Sequence, residues 1–461
     1  MKNPWILPAA TLVLGAAGGF ISGKNTTPPK DEAAEETNSR KSRSTARSET
    51  SSSENSAKRA SRATGTAEIT RMPGNSNRIQ ALMDFYAGLS PSQLEEEAGK
   101  LEGLPMNERI MASFLLFGRW AETDATAAMA FSNTMGFTGM FVRPTILQSW
   151  SSVDPTNAAK YYQSNPREFA MMGMMGGGRG PMGGQGGASI IASEWARQDP
   201  AAALAWAGGL TTEKNQATTA VVGEVAKTDP KKATEMLAGL GGEGLGDAYR
   251  SVASQYGASN FSEAQAWIRT LPTDDQAGAL ASAIGGLSNK DPEAAAKQVD
   301  LMEAGDAKDR IVGDVVEDLA RLSPQSAADF LKKQESEDAQ RDGMRELMPT
   351  WVAQNASAAL TFANSFEPGD VRDSALQSYV WSNNSTPPAD LIKVAETITD
   401  EGDRNRAIGV AAARWMQEDA DSAKAYVQQS TSISDEAKER IIEGRGMWGG
   451  GGPGRGGRGR D

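Results

Sequence analysis

A large residue followed four positions later by a helix-capping residue recurs along most of this chain, and no other feature constrains its fold as strongly. The clearest copies pair Trp150 with Asp154-Pro155, Trp195 with Asp199-Pro200, Val225 with Asp229-Pro230, Leu287 with Asp291-Pro292 and Leu319 with Ser323-Pro324. Copies without the proline pair Trp120 with Asp124, Tyr256 with Asn260, Trp351 with Asn355 and Trp415 with Asp419. Trp381 with Ser385 falls in the same frame with its prolines displaced to 387 and 388, and Tyr86 with Ser90-Pro91 opens the series. Successive copies lie 34, 30, 45, 30, 31, 31, 32, 32, 30 and 34 residues apart. An internal period of this size marks a stack of supersecondary units, each too thin to bury its own apolar face.

Each fixed position has a physical reason. Asp, Asn or Ser before Pro is a helix start: the side chain accepts from free amides of the first turn, and a proline at the first helical position loses no hydrogen bond. Ala202, Ala203 and Trp206 then follow at helical spacing, as do Ala294, Ala295 and Val299. This first helix, about ten residues long, ends near Leu210, Leu240 or Leu271. A second start follows, often Gly-Asp, as at Gly246-Asp247, Gly305-Asp306, Gly369-Asp370 and Gly402-Asp403. The second helix ends on the next large residue, with Ile408, Ala411, Ala412 and Trp415 on one stripe. The fold class expected is all-α: a right-handed α/α superhelix, or solenoid, of about ten to eleven helix-turn-helix repeats over residues 69–446. The tryptophans, recurring with the period, are expected in the seams between helices rather than in an aromatic ligand cage.

Composition narrows the chemistry. Among 461 residues there is no cysteine and no histidine, which removes disulfides, thiolate sites, the usual general base and the commonest metal ligand. No nucleophile elbow, zinc-protease helix or calcium loop occurs. The stretch "DPAAALAW" could contribute its aspartate to a paired-carboxylate site, since α/α barrels can host glycosidases. Its aspartate, though, repeats with the fold, and capping accounts for it. Gly-Asp followed by arginine (Gly369, Asp370 and Arg372; Gly246, Asp247 and Arg250) reads as caps with inter-repeat ion pairs, or alternatively as a binding row of arginines. No catalytic, cofactor-binding or metal-binding residue is assigned. The net charge of −12 is the balance of +3 over residues 1–68, +2 over 447–461 and −17 between them. An acidic body argues against nucleic acid on it.

Residues 1–24, "MKNPWILPAATLVLGAAGGFISGK", are expected to be a signal anchor or a signal peptide. Trp5 to Ile21 would span roughly 26 Å as a helix, barely a hydrocarbon core. Cleavage after Ala17 is one outcome. The other is an uncleaved anchor with Gly15, Gly19 and Gly23 on one face, a spacing suited to self-association. "GGFISGK" matches the spacing of a phosphate-binding loop but lacks the flanking strand and the hydroxyl residue, so it is no nucleotide site. Residues 25–68 read as a disordered Ser/Arg-rich tether, whose +5 over residues 38–62 suits a solvated spacer or a contact with anionic polymer or lipid. Residues 447–461 read as a disordered Gly/Arg-rich tail. The spacing of 45 contains "MMGMMGGGRGPMGGQGG", 171–187, more than half glycine with five methionines. It is expected to be a loop insertion, either without a role or making adaptable contacts.

Stacked helical hairpins of this length resemble the tetratricopeptide and related α-solenoid families, in architecture only, because the W-x-x-L-G-x-x-Y pattern is absent. "WARQDPAAALAW" resembles the W-x-x-x-D-P-x-x-A-x-x-W repeat of uncharacterised exported bacterial proteins. That resemblance implies the fold and supplies no activity or functional residue. The expected function is a membrane-tethered, envelope-facing repeat scaffold whose surface binds an unknown protein or peptide, with no catalysis and no cofactor. The alternatives are a purely structural spacer, or a carboxylate-based enzyme or polysaccharide-binding module, which would need a clustered, non-repeating patch.

Overall fold

The computed structural model describes residues 65–169, 186–240 and 244–443. The expected N-terminal segment with Gly15, Gly19 and Gly23, the C-terminal tail, nearly all of the tether and most of the 171–187 insertion lie outside them. The described residues form 22 α-helices and one short 3-10 turn, with no strand among them. No helix among them is long and apolar enough to cross a membrane.

Two compact units divide at Ala248/Tyr249. The first contains α1 (Thr66–Ile69), α2 (Asn75–Ala87), α3 (Pro91–Lys100), α4 (Met106–Thr134), α5 (Phe137–Val153), α6 (Pro155–Ser164), α7 (Pro166–Phe169), α8 (Gly187–Ala196), α9 (Pro200–Gly208), α10 (Lys214–Ala226) and α11 (Pro230–Ala238). The second begins within the first turn of α12 (Gly246–Ile268). It continues with α13 (Thr273–Ser288), α14 (Pro292–Asp300), α15 (Asp306–Leu322), α16 (Pro324–Leu331), α17 (Glu337–Ala363), α18 (Asp370–Ser382), α19 (Pro388–Ala395), α20 (Glu401–Glu418), α21 (Ala420–Gln429) and α22 (Asp435–Glu443). Within each unit the longer helices pack one on the next, as α4, α5, α8 and α10, or α13, α15, α17, α18 and α20. The short helices fill the seams: α9 packs on both α8 and α10, and α14 on both α13 and α15. The arrangement is an all-α helical solenoid.

The repeat is built on a one-residue joint. Asp124, Asp154, Asp199, Asp229, Asn260, Asp291, Ser323, Asn355 and Asp419 all adopt φ between −142° and −157° and ψ between 74° and 105°. In the six of these that separate two distinct helices, the amide donates to the carbonyl of the large residue four positions back, at 2.7–2.9 Å. The same residue's carbonyl accepts from the amide four positions on, at 3.0–3.1 Å. One residue thus closes one helix and opens the next, which is why the large residue and the cap are one turn apart. The side chain completes the joint, as when Asp291 accepts from Ala294 N at 2.9 Å and Asp229 from Lys232 N at 2.9 Å. Copies lacking proline have the same joint: α4, α12 and α17 are each two helices meeting at Asp124, Asn260 and Asn355. Proline pre-sets this geometry without being required for it.

Four positions beyond each of these nine joints stands a fully buried alanine: 128, 158, 203, 233, 264, 295, 327, 359 and 423. A larger side chain there would hold the short helix away from its neighbours.

Three expectations need correction. The Trp381/Ser385 pair is not the structural joint; Asn383 N donates to Tyr379 O at 3.0 Å, and Asn383 Oδ1 accepts from Ser385 and Thr386 amides. Tyr379 is 3% exposed and Trp381 41%, so the inward residue is two places earlier than the spacing implied. Gly402-Asp403 is not a helix start, because Asp400 caps α20 by accepting from Asp403 N at 2.7 Å. At Gly305 and Gly369 the glycine itself is the cap, with φ of 149° and 155°, a region closed to residues bearing a Cβ. Finally, two expected boundaries shift by a few residues. Thr66 is already helical because its amide and hydroxyl donate to buried Glu97 (2.9 and 2.5 Å), and Gly187 is helical, packed against the Tyr162 ring.

Candidate binding surface

The sequence singled out aspartates, tryptophans and arginines, and the fold gives each a distinct place. The repeating aspartates hold first-turn amides, as just described. Across the joints the tryptophans pack at a tilt against an aromatic eleven residues away. Trp195 meets Trp206 at 5.9 Å between ring centroids, Trp150 meets Tyr161 at 5.2 Å, Trp351 meets Phe362 at 5.0 Å and Trp415 meets Tyr426 at 5.6 Å. Two turns past a joint, the short helix brings its ring back over the end of the long one. Trp381 is the exception, exposed at the end of α18 with its carbonyl held by Arg414 Nη2 at 2.6 Å.

Asp370 of the Gly369-Asp370 start pairs with Arg341 of the preceding repeat at 3.3 Å, while other arginines clasp backbone. Arg414 also donates to the carbonyls of Val380 (3.0 Å) and Asn383 (2.8 Å), capping the C-terminus of α18 from the next long helix. Arg404 donates to the Ser432 carbonyl at 3.3 Å, and Arg372 to that of Thr397 at 3.3 Å. These contacts latch one repeat to another. In the first unit the latch is ionic. Gln148 donates to Glu194 at 2.8 Å, and Arg197 bridges Glu194 (3.0 Å) and Glu224 (2.7 Å), which also pairs with Lys227 at 2.6 Å. Burial drives the Glu194 carboxyl above the ordinary value despite Gln148 and Arg197. Burial also raises Glu224, but the hydrogen bonds from Arg197 and Lys227 outweigh it and the carboxyl ends below that value.

Without histidine, tyrosine is one of the few remaining acid–base groups. Tyr161 and Tyr426 donate to Glu168 (3.0 Å) and Glu396 (2.7 Å), and burial followed by those carboxylates pushes both phenols up to about 12. Among the described residues no three acidic side chains are grouped so as to hold a metal ion.

The second unit carries a cleft that sequence reasoning missed. It has a volume of about 470 Å³, within the range of ligand sites, and lies along α13. Its floor is Gly278, Ala281, Ser282 and Gly285, ending at Asn289. One wall is Arg250 and Ser254 of α12; the other is Arg310, Asp314, Glu317, Asp318 and Arg321 of α15. The five α15 positions share one helical stripe, and Ile311 and Ala307 complete the lining. Close approach of α12 to α13 sets the depth. A Cβ on Gly257 would collide with the Ala283 carbonyl, and one on Gly286 with the Ser254 carbonyl. Arg321 pairs with Asp318 at 2.7 Å and with Glu317, and Ser288 donates to Asp318 at 2.8 Å. A signal for the cleft existed: α13 has no charged residue between Asp275 and Lys290, so its outward face offers only small neutral side chains.

No protein-family model, curated protein or solved structure matches this chain.

Proposed function

We propose that this protein is a helical-repeat scaffold that binds another protein or peptide, with the cleft along α13 as its principal contact. The observation that carries this reading is the combination of a floor of small side chains with charged walls at a place where the repeat does not require either. Stacked repeats provide extended surfaces of this kind without internal chemistry. The resemblance to tetratricopeptide-like and exported bacterial repeat families supports the same reading. The apolar N-terminal segment and the basic stretch after it support tethering at a membrane, with the repeats on the envelope side. On this view the protein has no catalytic activity of its own.

The test is affinity capture from envelope extracts with the full chain and with a Gly278→Leu variant, which fills the cleft. A Cβ at Gly278 meets Arg250 at 3.6 Å, an ordinary contact, so the variant should fold. Saturable capture by the natural chain that drops at least tenfold in the variant supports the reading. Equal capture by both moves the contact elsewhere, and no saturable capture by either leaves a structural spacer.

A further inference from the structure

The repeat series does not stop at Trp415. Trp448 lies 33 residues further on, against intervals of 30–34 for all but one of the other copies, and Gly452-Pro453 follows it four positions later. Glycine is an acceptable N-cap and proline is pre-set for the first helical position, so this is a twelfth copy of the joint sequence. Gly456 then stands four places beyond, where nine joints have a buried alanine. The helix leading toward Trp448 is placed as a long helix of the repeat. α22 packs on both α20 and α21, and Ser434 caps it by accepting from Ala437 N at 3.4 Å. Ser434 and Trp448 are 14 residues apart, as are the Gly305 cap of α15 and Leu319. Beside α22 the core of the second unit is not closed: Trp415, Met416, Tyr426 and Ile442 pack against it but are only partly buried.

We propose that residues 444–448 continue α22 and dock on this partly open face, with Met447 against Met416, as the terminal cap of the repeat array. The register comes from other copies of the joint. Arg414, one place before Trp415, donates to the carbonyl of Val380, one place after the inward Tyr379, at 3.0 Å. Arg119, one place before Trp120, donates to the carbonyl of Ala87, one place after Tyr86, at 3.4 Å. The same relation sets Met447, one place before Trp448, beside Met416, one place after Trp415. Two flexible apolar side chains thus stand where other copies use an arginine and a carbonyl, and methionine fills irregular gaps of this kind. Gly444 and Gly446 disfavour a helical turn on their own, so the turn depends on burying the Trp448 ring, the largest apolar group in the segment. Residues 454–461 hold no apolar side chain and cannot build the short helix of a further repeat. The array therefore ends on a polar face, as terminal repeats require for solubility. The docking holds whether or not the cleft along α13 binds a partner.

The chain has no cysteine, so two introduced thiols report proximity without background. The test combines Met416→Cys with Met447→Cys in the full chain and treats it with a short bis-maleimide crosslinker. The control combines Glu401→Cys with Met447→Cys. Glu401 and Met416 both lie on α20, roughly 22 Å apart along its axis. The first pair should crosslink within one chain at least tenfold faster than the control, and adding Trp448→Ala should remove that advantage. If circular dichroism shows that Met416→Cys loses helix, Gln417→Cys at the exposed neighbouring position takes its place. By hydrogen exchange, Trp448→Ala and a chain ending at Glu443 should each lose protection of the α22 amides at least tenfold. Equal crosslinking of the two pairs overturns the docking, as does an advantage that survives Trp448→Ala. Crosslinks formed mainly between chains assign the face to a second copy and overturn it too. Unchanged exchange in α22 also overturns it.

Discussion

Of the residues that make this fold, the buried alanine four places beyond each joint is the least conspicuous and among the most restrictive. At Ala295 the side chain is fully buried, and its amide makes the first hydrogen bond of α14, to Asp291 O at 3.0 Å. Replacing it with leucine should destabilise the second unit by about 1–3 kcal/mol through overpacking. Asp291→Ala removes the cap and should cost about 1 kcal/mol, while Asp291→Asn should cost much less. Urea unfolding of the three variants checks the order. A smaller loss for Ala295→Leu than for Asp291→Asn would contradict the packing argument. The cap was readable in the sequence because Asp-Pro is a local signal. The alanine was not, because its importance lies in which helix faces it.

Elements meet through latches, and the one between α5, α8 and α10 should respond to pH with two opposite signs. Glu224 titrates below the ordinary glutamate value of about 4.3 when folded. Its stabilisation is therefore present above the unfolded pKa and lost as the pH falls through the folded one. Glu194 titrates above that value, so its contribution is full below the unfolded pKa and lost as the pH rises through the folded one. Glu224→Gln should therefore lower the melting temperature most near neutrality, with the difference from the natural chain shrinking at acid pH. For Glu194→Gln the difference should change in the opposite sense across the carboxylate range. Parallel pH dependences for the two variants would show that the two carboxyls do not have these separate environments. Helix positions were legible because caps and apolar stripes are written within about 15 residues. The latches were not, since Gln148 and Glu194, or Arg414 and Trp381, are set opposite one another only by stacking. The same limit hid the cleft: "GALASAIGGLS" reads as a helix in one dimension and as a floor only between α12 and α15. It also misplaced Trp381, because spacing alone cannot distinguish a ring turned inward from one two residues away that is exposed.

At the scale of the whole molecule, each unit is a sum of repeats held by nearest neighbours, and energy should divide accordingly. A chain ending at Lys290 stops at a joint and should remain folded, though less stable. One ending at Val316 stops within α15 and strips Leu319 and Ala320, both buried, from the end of the stack. Calorimetry of the two truncations should show a cooperative transition for the first and a frayed, broadened one for the second. Equal loss of structure would mean that the repeats are not modular.

The one-residue joint also determines where the chain can change length. A residue added at Asp199, Asp229 or Asp291 would rotate everything beyond it by about 100° around the helix, turning buried faces to solvent. The opposite ends of the hairpins have no such constraint: segments such as 301–305, 332–336 and 364–369 lie between helices that do not share a residue. The 171–187 stretch, the largest departure from the period, falls on that permissive side. Foreign epitopes and protease sites should accordingly be accepted along one edge of each unit and rejected along the other. At Ser90 the amide donates to Gln93 Oε1 at 2.9 Å rather than to the Tyr86 carbonyl, and Asn383–Pro387 is several residues long; these two places are where that rule should relax.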